Sequence, residues 1–363
     1  MRLISEKILN FRNIASAEFV PSESVTVICG ENGQGKTNLL ESIFLLSGAK
    51  SFRKVKDREM ITKEEEFSVI DAVFYAEKRE QKFHFTISDK GRRASLNQGS
   101  EQKASDFAGT FCCVVFSPDH LELVKGTPSE RRRFLDTALC QLSPRYFNDL
   151  KNYTRLIQQK NTLLKDARGI SAAFDVLDIY DSQLAQCAVG ISRARRAFIG
   201  QLDVVSKEAY ASISGKWEEM ELGYESTLFE DQEFGPDDAY KKILSARADD
   251  IRAGFSTVGP HRDDLDIRIN GDAAKIYASQ GQQRTAVLAL KLAESELFRQ
   301  KLGEEPVLLL DDVLSELDEF RQEYLLKRLG RSQAIITCCE PNFVERRTGA
   351  KVFRMHRGVL TEE

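Results

Sequence analysis

The sequence predicts an α/β fold built on a mixed sheet and interrupted by a helical block. Three observations carry this prediction. The apolar run VTVIC (25–29) leads into GENGQGKT (30–37), and NLLESIFLL (38–46) continues with helical character. A second apolar run, VLLLDD (307–312), ends in two aspartates, 275 positions after Lys36. Between Pro144 and Pro236 there is no proline, and apolar residues recur at helical spacing. Strand signals thus bracket a helical insertion, which places one α/β domain at 1–120 and 250–363 and a helical arm at 121–249.

The elements follow in order. FSVIDAVFY (67–75) and QKFHFTI (81–87) alternate as half-buried strands, with a turn at 89–91. FCCVVF (111–116) reads as a buried strand. Thr127-Pro128-Ser129-Glu130 has the form of a capping box with proline at the first helical position, and Ser143-Pro144 is a second helix start. Strand character returns at LDIRI (265–269), with a turn at Asn270-Gly271. The helix TAVLALKLAESELF (285–298) opens behind SQGQQR (279–284). A helix ending near Gly330, the strand QAIITCC (333–339) and a hairpin over 351–360 complete the chain.

Composition narrows the function classes. The chain has 363 residues, 42% hydrophobic and 30% charged, an ordinary globular balance. No apolar run has the length of a membrane span, and the N-terminal segment lacks a signal-peptide core, so a cytoplasmic protein without a membrane partner is expected. Seven cysteines form no C-x-x-C pair; Cys112-Cys113 and Cys338-Cys339 read as buried free thiols. Four scattered histidines suggest no metal cluster. A net charge of −4 gives nucleic-acid binding no bulk support.

GENGQGKT fits the phosphate-loop pattern G-x-x-x-x-G-K-[ST], in the strand–loop–helix setting that pattern requires. Gly30, Glu31, Asn32, Gly33, Gln34 and Gly35 supply main-chain N–H groups, and the new helix adds its positive end. Lys36 is expected to neutralise the β- and γ-phosphates of ATP, and Thr37 to ligate Mg²⁺. Asp311 is expected to hold the same metal through water, and Asp312 to polarise the attacking water. The spacing of loop and acidic strand implies a nucleotide-binding head split by a large insertion.

The segment VLSELD after the acidic strand, with SQGQQR upstream, resembles the ABC-type ATPase heads of the SMC family. The resemblance assigns Ser279 and Gly281 to the signature that faces another subunit's ATP, and Asp318 to the loop after the acidic strand. NFRNI (10–14) is similar to the family's N-terminal strand, which makes Arg12 a nucleotide-proximal residue. FSPDHLELVKGTPSERRRFLD (116–136), GPHRDDL (259–265), SQGQQRT and LLLDDVLSELD together resemble the RecF family of bacterial recombination-repair proteins more closely. That resemblance implies a slow DNA-stimulated ATPase that dimerises with ATP on duplex or gapped DNA and works with RecR and RecO in recombinase loading.

Three departures from the broader ABC pattern stand out. Asp312 takes the place of a glutamate, which implies slow hydrolysis. Thr337 and Cys338 fill the region of the switch histidine. FSPDH has no clear loop glutamine. Basic clusters at 52–58, 90–93 and 192–196 suit DNA phosphates or a solvated surface equally, with Arg53 and Lys54 the best placed. His261 and Arg262 suit turn chemistry as well as ligand binding. The residues also leave open a transporter energy subunit, whose signature more often reads LSGGQ, and an ATP-gated clamp, separable only by turnover.

Overall fold

The structure is a computed structural model that describes residues 1–53, 55–166, 172–215, 217–229, 234–329 and 331–363. Lys54 and Gly330 therefore lie outside the described residues. The chain forms two compact units, Met1–Leu121 with Val287–Glu363, and Glu122–Ala286.

The first unit begins with β1 (Arg2–Phe11), β2 (Ile14–Phe19), β3 (Val25–Cys29), β4 (Ser68–Ala76), β5 (Arg79–Ser88), β6 (Gly91–Leu96), β7 (Gln102–Lys103) and β8 (Cys113–Phe116). The second unit contributes β9 (Met220–Glu225), β10 (Asp264–Ile269) and β11 (Asp272–Ala273). The chain then returns with β12 (Val307–Asp311), β13 (Ala334–Cys338), β14 (Lys351–His356) and β15 (Val359–Glu362).

Two six-stranded sheets build the first unit. One is antiparallel, in the order β2-β1-β4-β5-β6-β7. Alternate residues of β4 and β5 are buried, as their period-2 patterning requires. The other runs β15-β14-β3-β13-β12-β8, parallel except for the edge strand β15. Its strands β3 and β12 are buried along their whole length, the mark of a parallel sheet covered on both faces. Both sheets contribute to one apolar core with the helix Lys36–Leu45, through Ile8, Phe74, Ile28, Leu309, Leu40 and Phe44 among others.

The second unit packs the helices Pro128–Leu142, Pro144–Asp166 and Ala172–Ser214 with the small sheet β11-β10-β9. Proline opens the first helix as expected, but Thr127 makes no side-chain cap; its hydroxyl pairs with Ser129 at 2.6 Å instead. Ser143 does cap the next helix, accepting from the Tyr146 amide at 3.2 Å.

Two sequence expectations need correction. β9 is a strand inside the block read as helical. β10 pairs antiparallel with it, Ile269 opposite Met220. Residues 250–286 consequently belong to the second unit rather than to the first. Asp250 reinforces this, because its buried carboxylate binds Lys160 at 2.8 Å. The adjacent cysteines also differ from expectation: Cys112 and Cys113 are buried, whereas Cys339 is exposed. Among the described residues no helix is long and apolar enough to cross a membrane.

β1 carries one costly group. Glu6 is fully buried opposite Phe19 and Ala72, and burial pushes its carboxyl up from 4.5 to about 8, against a smaller lowering by Ser42. Below pH 4.5 the group is protonated in both folded and unfolded chains. As pH rises towards 8 the unfolded chain ionises and the folded one does not, so stability falls across that window. Glu6→Gln should therefore raise the melting temperature relative to wild type more at pH 8 than at pH 5. Scanning calorimetry at both pH values checks this, and an equal difference at both would count against it.

Candidate functional site

Register brings the sequence motifs of the first unit together. β13 lies between β3 and β12, with Thr337 beside both Asp311 and Ile28. The three parallel strands end at one level, and ligands of open α/β sheets bind outside such carboxyl ends. Residues 30–35 leave β3 there, and Gly35 caps the helix Lys36–Leu45 in the left-handed region at φ 116°. A Cβ on Gly35 would lie 2.7 Å from Asn13 Oδ1, and one on Gly30 would strike the Met355 carbonyl oxygen. Close approach, as well as loop curvature, demands glycine at both positions.

Lys36 is 6% exposed. Its ammonium donates to the carbonyls of Gly30 and, at 2.9 Å, Glu31, and so spans its own loop. The Thr37 hydroxyl donates to Asp311 Oδ1 at 2.8 Å, and Thr337 donates to the same oxygen at 3.0 Å. Burial raises the Asp311 pKa, and the two hydroxyls pull it back. The Asp312 amide donates to Thr337 Oγ1 at 3.0 Å, with Asp312 in the left-handed region at φ 51°. Thr337, noted from the sequence only for standing where a histidine was expected, thus ties both aspartates.

The oxygens of Thr37 and Asp311 suit Mg²⁺, a hard cation that takes few protein ligands and fills its shell with phosphate and water. Among the described residues no group of three or more His, Cys, Asp or Glu is placed to hold a metal alone.

Beside the loop runs an open groove of about 540 Å³, lined by Arg12, Asn38, Arg53, Arg58, Ile61 and Lys63 among others. Arg12 grips the fully buried Glu41 through Nε at 3.0 Å and Nη2 at 2.9 Å. Arg53 donates to Asn38 Oδ1 at 2.8 Å and stands 3.7 Å from Glu41. Arg58 belongs to the basic cluster at 52–58, whereas nothing in the sequence singles out Ile61 and Lys63. They reach the groove because residues 60–62 pair with 10–12, Arg12 N donating to Met60 O at 2.8 Å and Thr62 N to Asn10 O at 2.9 Å. No spacing rule announces that bridge.

Ser279 and Gly281 stand exposed in the second unit. Ser279 Oγ accepts from the Gln282 amide at 3.2 Å, and Gln282 Oε1 accepts from the Ser279 amide at 2.8 Å. This is a reciprocal capping box. Gln282 also donates to Glu218 at 2.7 Å, and Gln283 to the Ala278 carbonyl at 2.9 Å. Both glutamines are thereby engaged by partners within the second unit. Ile276, Tyr277 and Trp217 stand exposed in the same segments, Trp217 being 90% exposed. In the first unit, Asp318 caps the helix Glu319–Leu329 by accepting from the Arg321 amide at 2.9 Å, which holds its carboxyl below the usual range.

His261 and Arg262 resolve as turn chemistry. The Tyr153 hydroxyl lies 2.6 Å from His261 Nδ1, and His261 Nε2 lies 3.0 Å from the Ser256 carbonyl. That carbonyl places the ring proton on Nε2, so Tyr153 donates to Nδ1. Burial pushes the histidine down to about 4 and keeps it neutral. Arg262 binds the same carbonyl at 3.0 Å and covers Phe255. The neighbouring motif joins in: Arg131 holds Asp264 through two contacts of 2.7 Å, and Arg132 donates to the Asp263 carbonyl at 2.6 Å.

A family model described as the RecF/RecN/SMC N-terminal domain matches residues 3–361. The DNA replication and repair protein RecF of an Exiguobacterium species is 39% identical over 370 residues, covering 100% of both chains. The protein of that name from Bacillus subtilis is 37% identical over 366 residues, covering 98% of both. The solved structure of the recombination mediator protein RecF-ATPrS in the RecFOR pathway superposes with a TM-score of 0.92 at 34% identity, covering 99% of this chain and 98% of that one. An Smc head domain from Pyrococcus furiosus is similar at a TM-score of 0.56 and 15% identity, over 99% of this chain and 95% of its own, which shows a shared ABC-type fold. The chain belongs to the RecF/RecN/SMC N-terminal domain family, and within it to the RecF proteins.

Proposed function

We propose that this protein is a slow, DNA-stimulated ATPase of recombinational repair that uses ATP to pair two copies on duplex DNA near single-strand gaps. One observation carries the reading: a phosphate loop, its lysine, and the Thr37–Asp311 oxygen pair converge at the ends of two parallel strands, β3 and β12, that flank β13. Relatives named DNA replication and repair protein RecF, and RecF structures named for bound ATPrS and ATP, support the choice of nucleotide and pathway. RecR and RecO are the proposed partners on the same ground, and the cytoplasm is the proposed location.

Each residue has a share in the proposed mechanism. The amides of residues 31–37 and Lys36 hold the phosphates, and the groove along Arg12 and Ile61 takes the nucleoside. Thr37 and, through water, Asp311 would hold Mg²⁺, whose charge would offset that of the phosphates. Asp312 orients the attacking water. It is one methylene shorter than glutamate, which makes hydrolysis slow. Ser279 and the Gly281 amide of one copy donate to the γ-phosphate bound by the other, and Asp318 lies at the same junction. ATP then binds the pair more tightly than the single chain and favours pairing by linkage. Arg53 and Lys54 are the proposed DNA contacts.

Sedimentation with and without ATP, on gapped, duplex and single-stranded DNA, tests pairing and substrate together. Ser279→Arg should leave ATP binding by the single chain intact and abolish ATP-dependent dimers; dimers that persist would sink the assignment. Asp312→Asn should lower turnover by about a hundredfold or more while ATP-bound dimers accumulate, read by phosphate release and sedimentation. DNA affinity should fall steeply with salt, at a log–log slope of about −0.9 per phosphate contact. A flat salt response would remove the phosphate contacts from the proposal.

A further inference from the structure

We propose that Asn13 and the C-terminal hairpin turn Arg357-Gly358 are positioning residues that hold the phosphate loop in its anion-binding shape. The inference rests on the nucleotide reading above and adds to it a part of the chain that the loop motif does not contain. Its focus is Gln34. The Gln34 carbonyl accepts from Asn13 Nδ2 at 3.0 Å and from the Gly358 amide at 2.9 Å. The Gln34 side-chain oxygen accepts from the Arg357 amide at 2.7 Å. Asn13 Oδ1 accepts from Asn38 Nδ2 at 2.8 Å, on the first turn of the helix that follows the loop.

The contacts leave no room for slack. A Cβ on Gly358, at φ 79°, would strike the Asn13 carbonyl, with the Asn13 carbonyl carbon at 2.9 Å. A Cβ on Gly35 would meet the Asn13 side chain. Three segments far apart in sequence therefore interlock at van der Waals distance, all within the first unit.

The consequence follows from peptide geometry. In a planar trans peptide the carbonyl of one residue and the N–H of the next point in opposite directions. Two donors outside the loop pin the Gln34 carbonyl outward. The Gly35 N–H is thereby aimed inward, at the position of the phosphates. A loop held this way does not have to be ordered by its ligand, which raises affinity by preorganisation. Loop amides of this kind serve the α- and β-phosphates, so ATP and ADP benefit alike.

Calorimetric titration with MgATP and with MgADP tests the idea on the full chain. Asn13→Ala and Gly358→Ala should each weaken both nucleotides by about tenfold, the worth of one to two hydrogen bonds. Gly91→Ala is the control: it places a side chain at a comparable left-handed φ of 91° in another hairpin turn, with nothing within 4 Å. It should lower the melting temperature through backbone strain alone, without the clash that Gly358→Ala adds, and leave affinity unchanged. Gln34→Ala removes only the acceptor for the Arg357 amide and serves if the other variants fail to fold; it should weaken both nucleotides several-fold. Lys36→Ala separates the two readings. If wild type binds neither nucleotide, or Lys36→Ala binds as wild type does, the nucleotide reading fails. If Lys36→Ala loses binding while Asn13→Ala, Gly358→Ala and Gln34→Ala stay within about twofold of wild type, the positioning role alone is overturned. It is also overturned if affinity merely follows melting temperature across all variants, Gly91→Ala included.

Discussion

The site of the first unit depends on the hydroxyl of Thr337. It donates to Asp311 and accepts from the amide of Asp312, from a strand that separates the acidic strand from the phosphate-loop strand. A buried carboxylate such as Asp311 is costly to ionise unless donors surround it. Thr337 and Thr37 supply those donors, and both converge on one oxygen. The other carboxylate oxygen is left to further partners, and Asp312 is fixed in a left-handed conformation, which aspartate tolerates better than most residues other than glycine.

The second unit uses charge differently. Lys160, fully buried, lies between Asp181 and Asp250, and Arg195 reaches Asp136 and the Pro260 carbonyl. Removing one member of such a set leaves an uncompensated buried charge, at a cost of about 3–5 kcal/mol. These bonds join helices to the turn before β10 and specify one arrangement among many that apolar packing alone would tolerate. The segments P-SERRRFLD and GPHRDDL, among the most specific in the sequence, spend their polar groups here on architecture. His261 is held neutral between a phenol and a carbonyl, which gives it no free valence for a ligand.

The capping box at Ser279 satisfies main-chain groups where the helix Gln280–Leu302 begins. Gln282 satisfies the Ser279 amide, while the serine oxygen accepts from the Gln282 amide and keeps its proton for another acceptor. The exposed Ile276 and Tyr277 precede it.

The sequence by itself determined the phosphate loop, the acidic strand, the two hairpin turns at 89–91 and 270–271, and the interruption of the first unit. Those features are local: a period of two, a buried apolar run, or a glycine pattern suffices to read them. What only the tertiary structure decided is which distant segments meet. β9 was invisible because MELGYE lacks a clean alternation, and only its pairing with β10 gives it an identity. That pairing also moved residues 250–286 into the second unit. Arg58, Ile61 and Lys63 joined the groove through a bridge across about fifty positions, and Arg357-Gly358 reached Gln34 across more than three hundred. Hydrogen bonds and close contacts between such segments depend on register and sheet order, and a linear pattern carries neither.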